Sequence, residues 1–488
     1  MTTLTRGAEP ALRQAPPGRP AGLPVELSVA ADRHAPLPLA GQIAAQVREA
    51  LADGRLAAGE RLPSTRALAA ALSVSRTVVT AAYTQLFAEG WLEGRHGSGT
   101  YVAPGAAGPP PAAPAPTAPA GAGWVQPDPV PAVNLRPGIP WQAGIDPAAW
   151  RRAWRHAGTS LLPAEPDPRG RGVLREALTG YLRRSRGVSA AADQILVTRG
   201  VSAGLGLVAS ALLRPGDRVG VEEPGYPAAR AVFASRGARL VPCRVDGHGL
   251  VVSELPDHLR LVYTTPAHQY PLGGRLPVPR RQALAAWARA TGALIVEDDY
   301  DGEFRYDVAP LPTLFGLDPG AVVYLGTTSK TLTPALGAGW LVARPDLIPV
   351  LTAAAAQLGE RVSGPVQHAV TELLASGELE RHVRRMRHEY ARRRAVMVGT
   401  LSGLSGDTAG MHMVLELPPG TAGAVARAAR ERGVEVATLD RYFAGRPARE
   451  GLVLGYGAAD LAAVSRGCQV IAEILAGGPA TRCAGVPR

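Results

Sequence analysis

Residues 293–330 read ALIVEDDYDGEFRYDVAPLPTLFGLDPGAVVYLGTTSK, and the order of apolar and polar residues in this stretch decides the fold. Two runs, Ala293–Val296 and Ala321–Leu325, are apolar and short enough to be buried strands. Polar residues follow each run, and those after the second end in Lys330. Because α/β sheets bind ligands beyond the carboxyl ends of their strands, we expect a site at this edge.

Lys330 is the single lysine of the 488-residue chain, and the other 51 basic residues are arginine. Arginine stays protonated, whereas lysine can lose its proton and act as an amine nucleophile toward a carbonyl group. A composition that uses arginine wherever positive charge is needed, but keeps one lysine after a strand, indicates a chemical role for Lys330.

Polar groups near Lys330 in the predicted sheet match the needs of pyridoxal phosphate (PLP). The lysine amine would form the Schiff base, Asp298 or Asp299 would pair with the protonated pyridine nitrogen, and Tyr300 would bind the ring hydroxyl oxygen. The segment 198–202 (Thr-Arg-Gly-Val-Ser), between a strand and a helix, offers backbone N–H groups and a hydroxyl to the phosphate. Tyr226 offers a ring that can stack on the cofactor.

Further apolar runs alternate with helical segments along the rest of the chain, and they include Gln194–Thr198, Arg218–Val221 and Arg260–Tyr263. This alternation predicts an α/β fold, with a parallel or mixed sheet covered on both faces. Residues 124–488 are long enough for such a large domain plus a small C-terminal α+β domain.

A winged helix-turn-helix is predicted at residues 36–103. Apolar residues recur at helical spacing from Leu39 to Leu51, Ser64 and Ser75 are good N-caps for two further helices, and Gly90 ends the third helix. Residues 91–102 read as a hairpin around His96-Gly97-Ser98-Gly99. The third helix presents polar side chains at its start, where a recognition helix reads the major groove. The expected DNA contacts are Arg66, Ser75, Arg76, Thr77, Arg95, His96 and Gly97.

Composition limits the remaining possibilities. The formal net charge is +11, but residues 36–103 hold six arginines against five acids, so DNA binding depends on where the charges lie. Neither a signal peptide nor a membrane-spanning apolar run is visible, and the three cysteines fit neither a disulfide framework nor a zinc site. We therefore expect a cytoplasmic protein without metal, with a flexible tail at 1–35 and a Pro/Ala/Gly linker at 104–123.

The segment 54–102, GRLAAGERLPSTRALAAALSVSRTVVTAAYTQLFAEGWLEGRHGSGTYV, closely resembles the DNA-binding domain of the GntR family of bacterial regulators. Residues 124–460 resemble fold-type I aminotransferases fused behind such a domain, the MocR regulators. The matching motifs are GDRVGVEEPGYP (216–227), TPAHQYPLG (265–273), IVEDDYDGEFRYD (295–307) and GTTSKTLTPALGAGW (326–340).

The resemblance implies a role for each matching residue. Lys330 is the Schiff-base lysine, Asp298 rather than Asp299 pairs with the pyridine nitrogen, and Tyr300 lies at the ring oxygen. Residues assigned to stacking, the phosphate or the ring edge are Tyr226, Gly200, Val201, Ser202, Thr327, Ser329, His268 and Gln269. The resemblance also implies a homodimer that binds a double-stranded DNA operator. The implied effector is PLP, or an amino compound that reacts with bound PLP.

Two departures from the family pattern leave alternatives open. Gly337 replaces an arginine that bonds the cofactor phosphate, a contact of about 1.5–3 kcal/mol. Near residues 451–456 there is no equivalent of the arginine that binds a substrate carboxylate. The leading hypothesis is therefore a regulator rather than an enzyme, with a role in vitamin B6 or amino-acid metabolism. The alternatives are an active PLP-dependent aminotransferase, and a regulator that has lost PLP and only dimerises.

Overall fold

The computed structural model describes residues 29–95, 99–105, 131–159, 163–309 and 311–477. The predicted tail and linker lie largely outside these ranges. The chain divides into two compact units, one before residue 128 and one from residue 128 onward. None of the described helices is long and apolar enough to cross a membrane.

The N-terminal unit is a winged helix-turn-helix, as predicted. Its elements are α1 Leu39–Ala52, α2 Thr65–Ala71, α3 Arg76–Ala88, β1 Leu92–Arg95 and β2 Gly99–Val102. The side chains of Ser64 and Ser75 accept hydrogen bonds from the backbone N–H groups of Ala67 and Val78, so both predicted caps are confirmed. The two strands pair antiparallel, and the three helices bury a core that includes Ile43, Val47, Leu68, Val79, Tyr83 and Leu86.

The C-terminal unit contains an eight-stranded mixed sheet in the order β4-β11-β10-β9-β8-β5-β6-β7. Its strands are β4 Ile195–Thr198, β5 Arg218–Glu223, β6 Arg239–Asp246, β7 Gly249–Leu250, β8 Leu261–Thr264, β9 Leu294–Asp298, β10 Val322–Thr327 and β11 Gly339–Val342. Strands β6, β5, β8, β9 and β10 are parallel neighbours in that order. Each of the five apolar runs named above forms a strand within one or two residues of its predicted limits.

Helices cover both faces of this sheet, which explains why its central strands β8, β9 and β10 are buried along their whole length. On β9 and β10, Ile295 and Val322 pack into one core cluster, whereas Val296 and Val323 pack into a second cluster on the opposite face. The helices of the unit are α4 Pro147–Thr159, α5 Gly172–Arg186, α6 Val201–Leu212, α7 Pro227–Ser235, α8 Val278–Thr291, α9 Leu314–Leu317, α10 Ile348–Gln357, α11 Gly364–Ala375, α12 Glu378–Thr400, α13 Ala422–Glu431 and α14 Leu461–Ala476.

A smaller antiparallel sheet follows, in the order β12-β13-β16-β15. Its strands are β12 Leu404–Ser405, β13 His412–Glu416, β15 Ala437–Thr438 and β16 Gly451–Gly455. A separate parallel pair joins β3 Val133–Asn134 to β14 Val434–Glu435. With α13 and α14, these strands form the small α+β part predicted at the C-terminal end.

Candidate functional site

Strand register brings the polar residues that follow β9 close to those that follow β10. Asp298, the last residue of β9, is paired in register with Leu325 of the parallel strand β10. Strand β10 continues to Thr327, so the segment Thr328–Lys330 leaves the sheet close to Asp298, at the edge where parallel strands end. A cavity of about 360 Å³ opens at this point. Among the described residues it is lined by Gly200, Val201, Ser202, Tyr226, Asp298, Tyr300, Thr327, Ser329 and Lys330 from the predicted set.

Lys330 lies partly buried in this cavity. Its ammonium Nζ donates a 2.6 Å hydrogen bond to the backbone oxygen of Gly138. Burial lowers the pKa of Lys330, while the nearby carboxylates of Asp301 and Asp298 oppose that shift. A lowered lysine pKa raises the fraction of neutral amine, which is the nucleophilic form.

Asp298 presents an unpaired carboxylate oxygen to the cavity. Its Oδ2 accepts a 2.6 Å hydrogen bond from the Tyr263 hydroxyl, but its buried Oδ1 has no partner among the described residues. Burial raises the pKa of Asp298 to about 7, although the bond from Tyr263 and the charge of Lys330 act in the opposite direction. A buried carboxylate without a full set of partners is costly, and a cation or N–H donor in the cavity would satisfy it.

Asp299 points away from the cavity and belongs to a different network. Two nitrogens of Arg186 donate to its carboxylate at 2.5 and 2.8 Å, and the Tyr324 hydroxyl donates at 2.8 Å. Successive side chains along an extended strand point to opposite faces, so only one of the two aspartates can reach the cavity. The geometry thus separates two carboxylates that the sequence left as alternatives.

The Gly200 end of the cavity has the features of an anion-binding site. Gly200, with φ of 110°, precedes α6 in a conformation that residues with side chains rarely adopt. The first backbone N–H groups of α6 have no partner within the helix and point outward from its start. The hydroxyl of Thr327 donates to that of Ser329 at 2.9 Å, and the side chains of Tyr226 and Ser202 line the same cavity.

The structure places His268 and Gln269 behind the cavity rather than in its lining. The Nδ1 atom of His268 lies 3.0 Å from both the Tyr300 hydroxyl and an Asp301 oxygen. The Gln269 amide donates to Glu222 and to two backbone oxygens. Their neighbour Tyr270 lines the cavity instead, with its ring edge-on to Tyr226 and Tyr300.

Tyr263, Tyr270 and Arg199 also line the cavity, and none of them has an individual predicted role. Tyr263 lies inside an apolar strand run, where a buried aromatic is the ordinary expectation. Arg199 belongs to the segment 198–202, which is predicted to bind the phosphate. Its place in that segment is the sequence feature that could have identified it as a lining residue.

In the N-terminal unit, Ser75, Arg76 and Thr77 are exposed at the start of α3, and Arg66 is exposed on α2. The Nε atom of Arg76 is 3.4 Å from the Thr65 hydroxyl, which brings the two helices together at this surface. On the wing, Arg95 pairs with Glu93 at 2.9 Å and covers the Tyr101 ring. The predicted contacts His96 and Gly97 lie outside the described residues.

Two family models match the chain: bacterial regulatory proteins of the gntR family over residues 39–102, and aminotransferase class I and II over residues 138–446. Members of the aminotransferase class I and II fold use PLP.

Two relatives are similar over most of their length. The pyridoxine biosynthesis transcriptional regulator PdxR of Corynebacterium glutamicum is 38% identical over 89% of this chain and 95% of its own. The probable rhizopine catabolism regulatory protein MocR of Rhizobium meliloti is 35% identical over 88% and 92%. Among solved structures, the α-aminoadipate aminotransferase LysN of Thermus thermophilus, in complex with N-(5′-phosphopyridoxyl)-L-leucine, matches with a TM-score of 0.65 and 26% identity. That match covers 71% of this chain and 92% of LysN.

Proposed function

This chain belongs to the MocR-type regulators of the GntR family, and we propose that its winged helix binds an operator while its large unit binds PLP as the regulatory ligand. The observation that carries the proposal is one cavity lined by both Lys330 and Asp298. The similarity to a pyridoxine biosynthesis regulator supports vitamin B6 metabolism as the regulated process.

The residues present fit PLP on the evidence of the cavity itself. PLP supplies an aldehyde carbon that condenses with primary amines, and a pyridine ring that withdraws electrons. The amine of Lys330, which lines the cavity, is the nucleophile for that aldehyde. The unpaired Oδ1 of Asp298 would accept a hydrogen bond from the pyridine nitrogen and hold its proton. Tyr226 and Tyr270 bound the space for the ring.

The polar groups at the Gly200 end would bind the phosphate. Backbone N–H groups at the start of α6 and the hydroxyls of Ser202, Thr327 and Ser329 are suited to oxygen anions. The Tyr300 hydroxyl donates to the backbone oxygen of His268 at 3.0 Å, and His268 lies against Asp301. This network fixes the Tyr300 ring at the cavity wall, where its hydroxyl would meet the ring oxygen of PLP.

The proposed DNA interface is the exposed start of α3. A recognition helix contacts base edges with its N-terminal residues, and arginine can bond guanine in bidentate fashion. Arg76 occupies that place, with Ser75 and Thr77 beside it for phosphate contacts. Because domains of the aminotransferase class typically dimerise, we propose that two winged helices bind paired half-sites.

Arg76→Ala should weaken operator binding by about 5- to 150-fold, because it removes a base contact worth about 1–3 kcal/mol. The operator would first be selected with the purified full-length protein from a pool of random duplexes, and affinities would be measured by fluorescence anisotropy at fixed salt. Arg55→Ala is the matched control, since Arg55 is an exposed arginine of the same unit that pairs with Asp53. Equal losses of operator affinity in both variants would contradict the proposal that α3 contacts the bases of the operator.

A further inference from the structure

The cavity contains one lysine and one arginine among its described lining residues, Lys330 and Arg199. The Lys330 ammonium donates to the Gly138 oxygen and lies near the carboxylates of Asp298 and Asp301. Its positive charge is therefore balanced by these carboxylates. Arg199 immediately precedes Gly200 and the start of α6, at the anion-binding end. A phosphate group there would carry a charge of about −1.5 to −2 and need a cation beside it.

Position 337 does not provide that cation. Gly337 stands where the family pattern has an arginine, and a Cβ built there would meet no described atom within 4 Å. No neighbouring side chain among the described residues has therefore moved into the immediate space. Among the described residues, Arg199 is the one arginine that lines the cavity.

A carboxylate orients Arg199 in the structure. Its Nε and Nη2 atoms donate to the two oxygens of Glu360, each at 2.6 Å. The Arg199 side chain is 57% exposed and that of Glu360 is 22% exposed. This two-point contact fixes the plane of the guanidinium and leaves its Nη1 side for a second anion, since arginine has five N–H donors.

We propose that Arg199 is the phosphate-binding cation of this cavity in place of the arginine lost at position 337, and that the negative charge of Glu360 weakens the attraction of Arg199 for the phosphate. This inference rests on the proposed function, because the phosphate belongs to PLP. A phosphate with a charge near −2 attracts the guanidinium more strongly than one carboxylate does, so occupancy should weaken the bond to Glu360.

The test compares PLP with pyridoxal, which lacks the phosphate, by visible absorbance titration of the full-length protein. Arg199→Ala should weaken PLP binding about tenfold and leave pyridoxal binding unchanged, because only a phosphate contact is lost. Glu360→Gln should strengthen PLP binding, because it removes this negative charge beside Arg199. Arg344→Ala is the matched control, an exposed arginine paired with Asp346 outside this cavity, and it should change neither affinity.

Each result decides the question. Equal PLP affinity in Arg199→Ala and the unaltered chain would overturn the role of Arg199, and so would equal losses for PLP and pyridoxal. In those cases a band that still depends on Lys330 would leave the proposed function standing. If the unaltered chain gives no band with either compound, the proposed cofactor and this inference both fail.

Discussion

Lys330→Ala should abolish the visible absorption band that forms when PLP is titrated into the full-length chain. The reason is chemical: Lys330 is the one lysine of the sequence, and its partly buried side chain lines the cavity with Asp298. Alanine removes the amine that reacts with the aldehyde, so the loss should be complete rather than partial. Borohydride should fix the cofactor to the unaltered chain and not to the variant, as mass spectrometry would show.

Lys330→Arg is the matched control, because arginine keeps the positive charge yet stays protonated. It should also lack the band, which separates the need for a nucleophile from the need for charge. A band of normal intensity in either variant would place the reactive amine elsewhere and contradict the assignment. Unchanged circular dichroism would show that the variants are folded.

Asp299→Asn should lower the free energy of unfolding by about 3–5 kcal/mol, because it leaves the buried Arg186 guanidinium without its countercharge. Both side chains are 1% exposed, and a third guanidinium nitrogen donates to the Gly302 oxygen at 2.8 Å. The network ties the end of α5 to the segment that follows β9. Urea-induced unfolding, followed by far-ultraviolet circular dichroism, would measure the loss.

Two other aspartate substitutions act as controls for the stability loss expected in Asp299→Asn. Asp346→Asn breaks an exposed pair with Arg344 and should cost at most about 1 kcal/mol. Asp298→Asn removes a buried carboxylate whose pKa burial raises, so it should leave stability unchanged or improve it while weakening PLP binding. Equal stability losses at positions 298 and 299 would contradict the separate roles given to the two aspartates.

The strands and the winged helix followed from the sequence because local patterns fix them, whereas lining residues such as Thr327 and Ser329 were expected from the family resemblance. Apolar runs such as the one before Asp298 form strands in this sheet, and Ser64 and Ser75 cap helices through bonds within three residues. The site followed in turn, since residues just after adjacent parallel strands meet at one edge.

Other features depend on contacts between residues distant in sequence. The pairing of Asp299 with Arg186 joins positions 113 residues apart, so the EDDY motif alone could not exclude it from the site. His268 is hydrogen bonded to Asp301 and Gln269 to Glu222, and Tyr270 lines the cavity whereas these two residues do not. Arg199 meets Glu360 across 161 residues. No periodicity or motif spacing predicts such pairs.

Operator affinity shows most directly whether PLP regulates DNA binding. It would be measured for the full-length unaltered chain and for Lys330→Ala, each with and without saturating PLP. Regulatory coupling between two sites typically amounts to about 1–3 kcal/mol, so PLP should change the operator Kd of the unaltered chain by about 5- to 150-fold. The Kd of Lys330→Ala should not respond to PLP. An operator Kd that is the same with and without PLP in the unaltered chain would contradict the regulation of DNA binding by PLP. An equal response in Lys330→Ala would contradict the role of Lys330 in it.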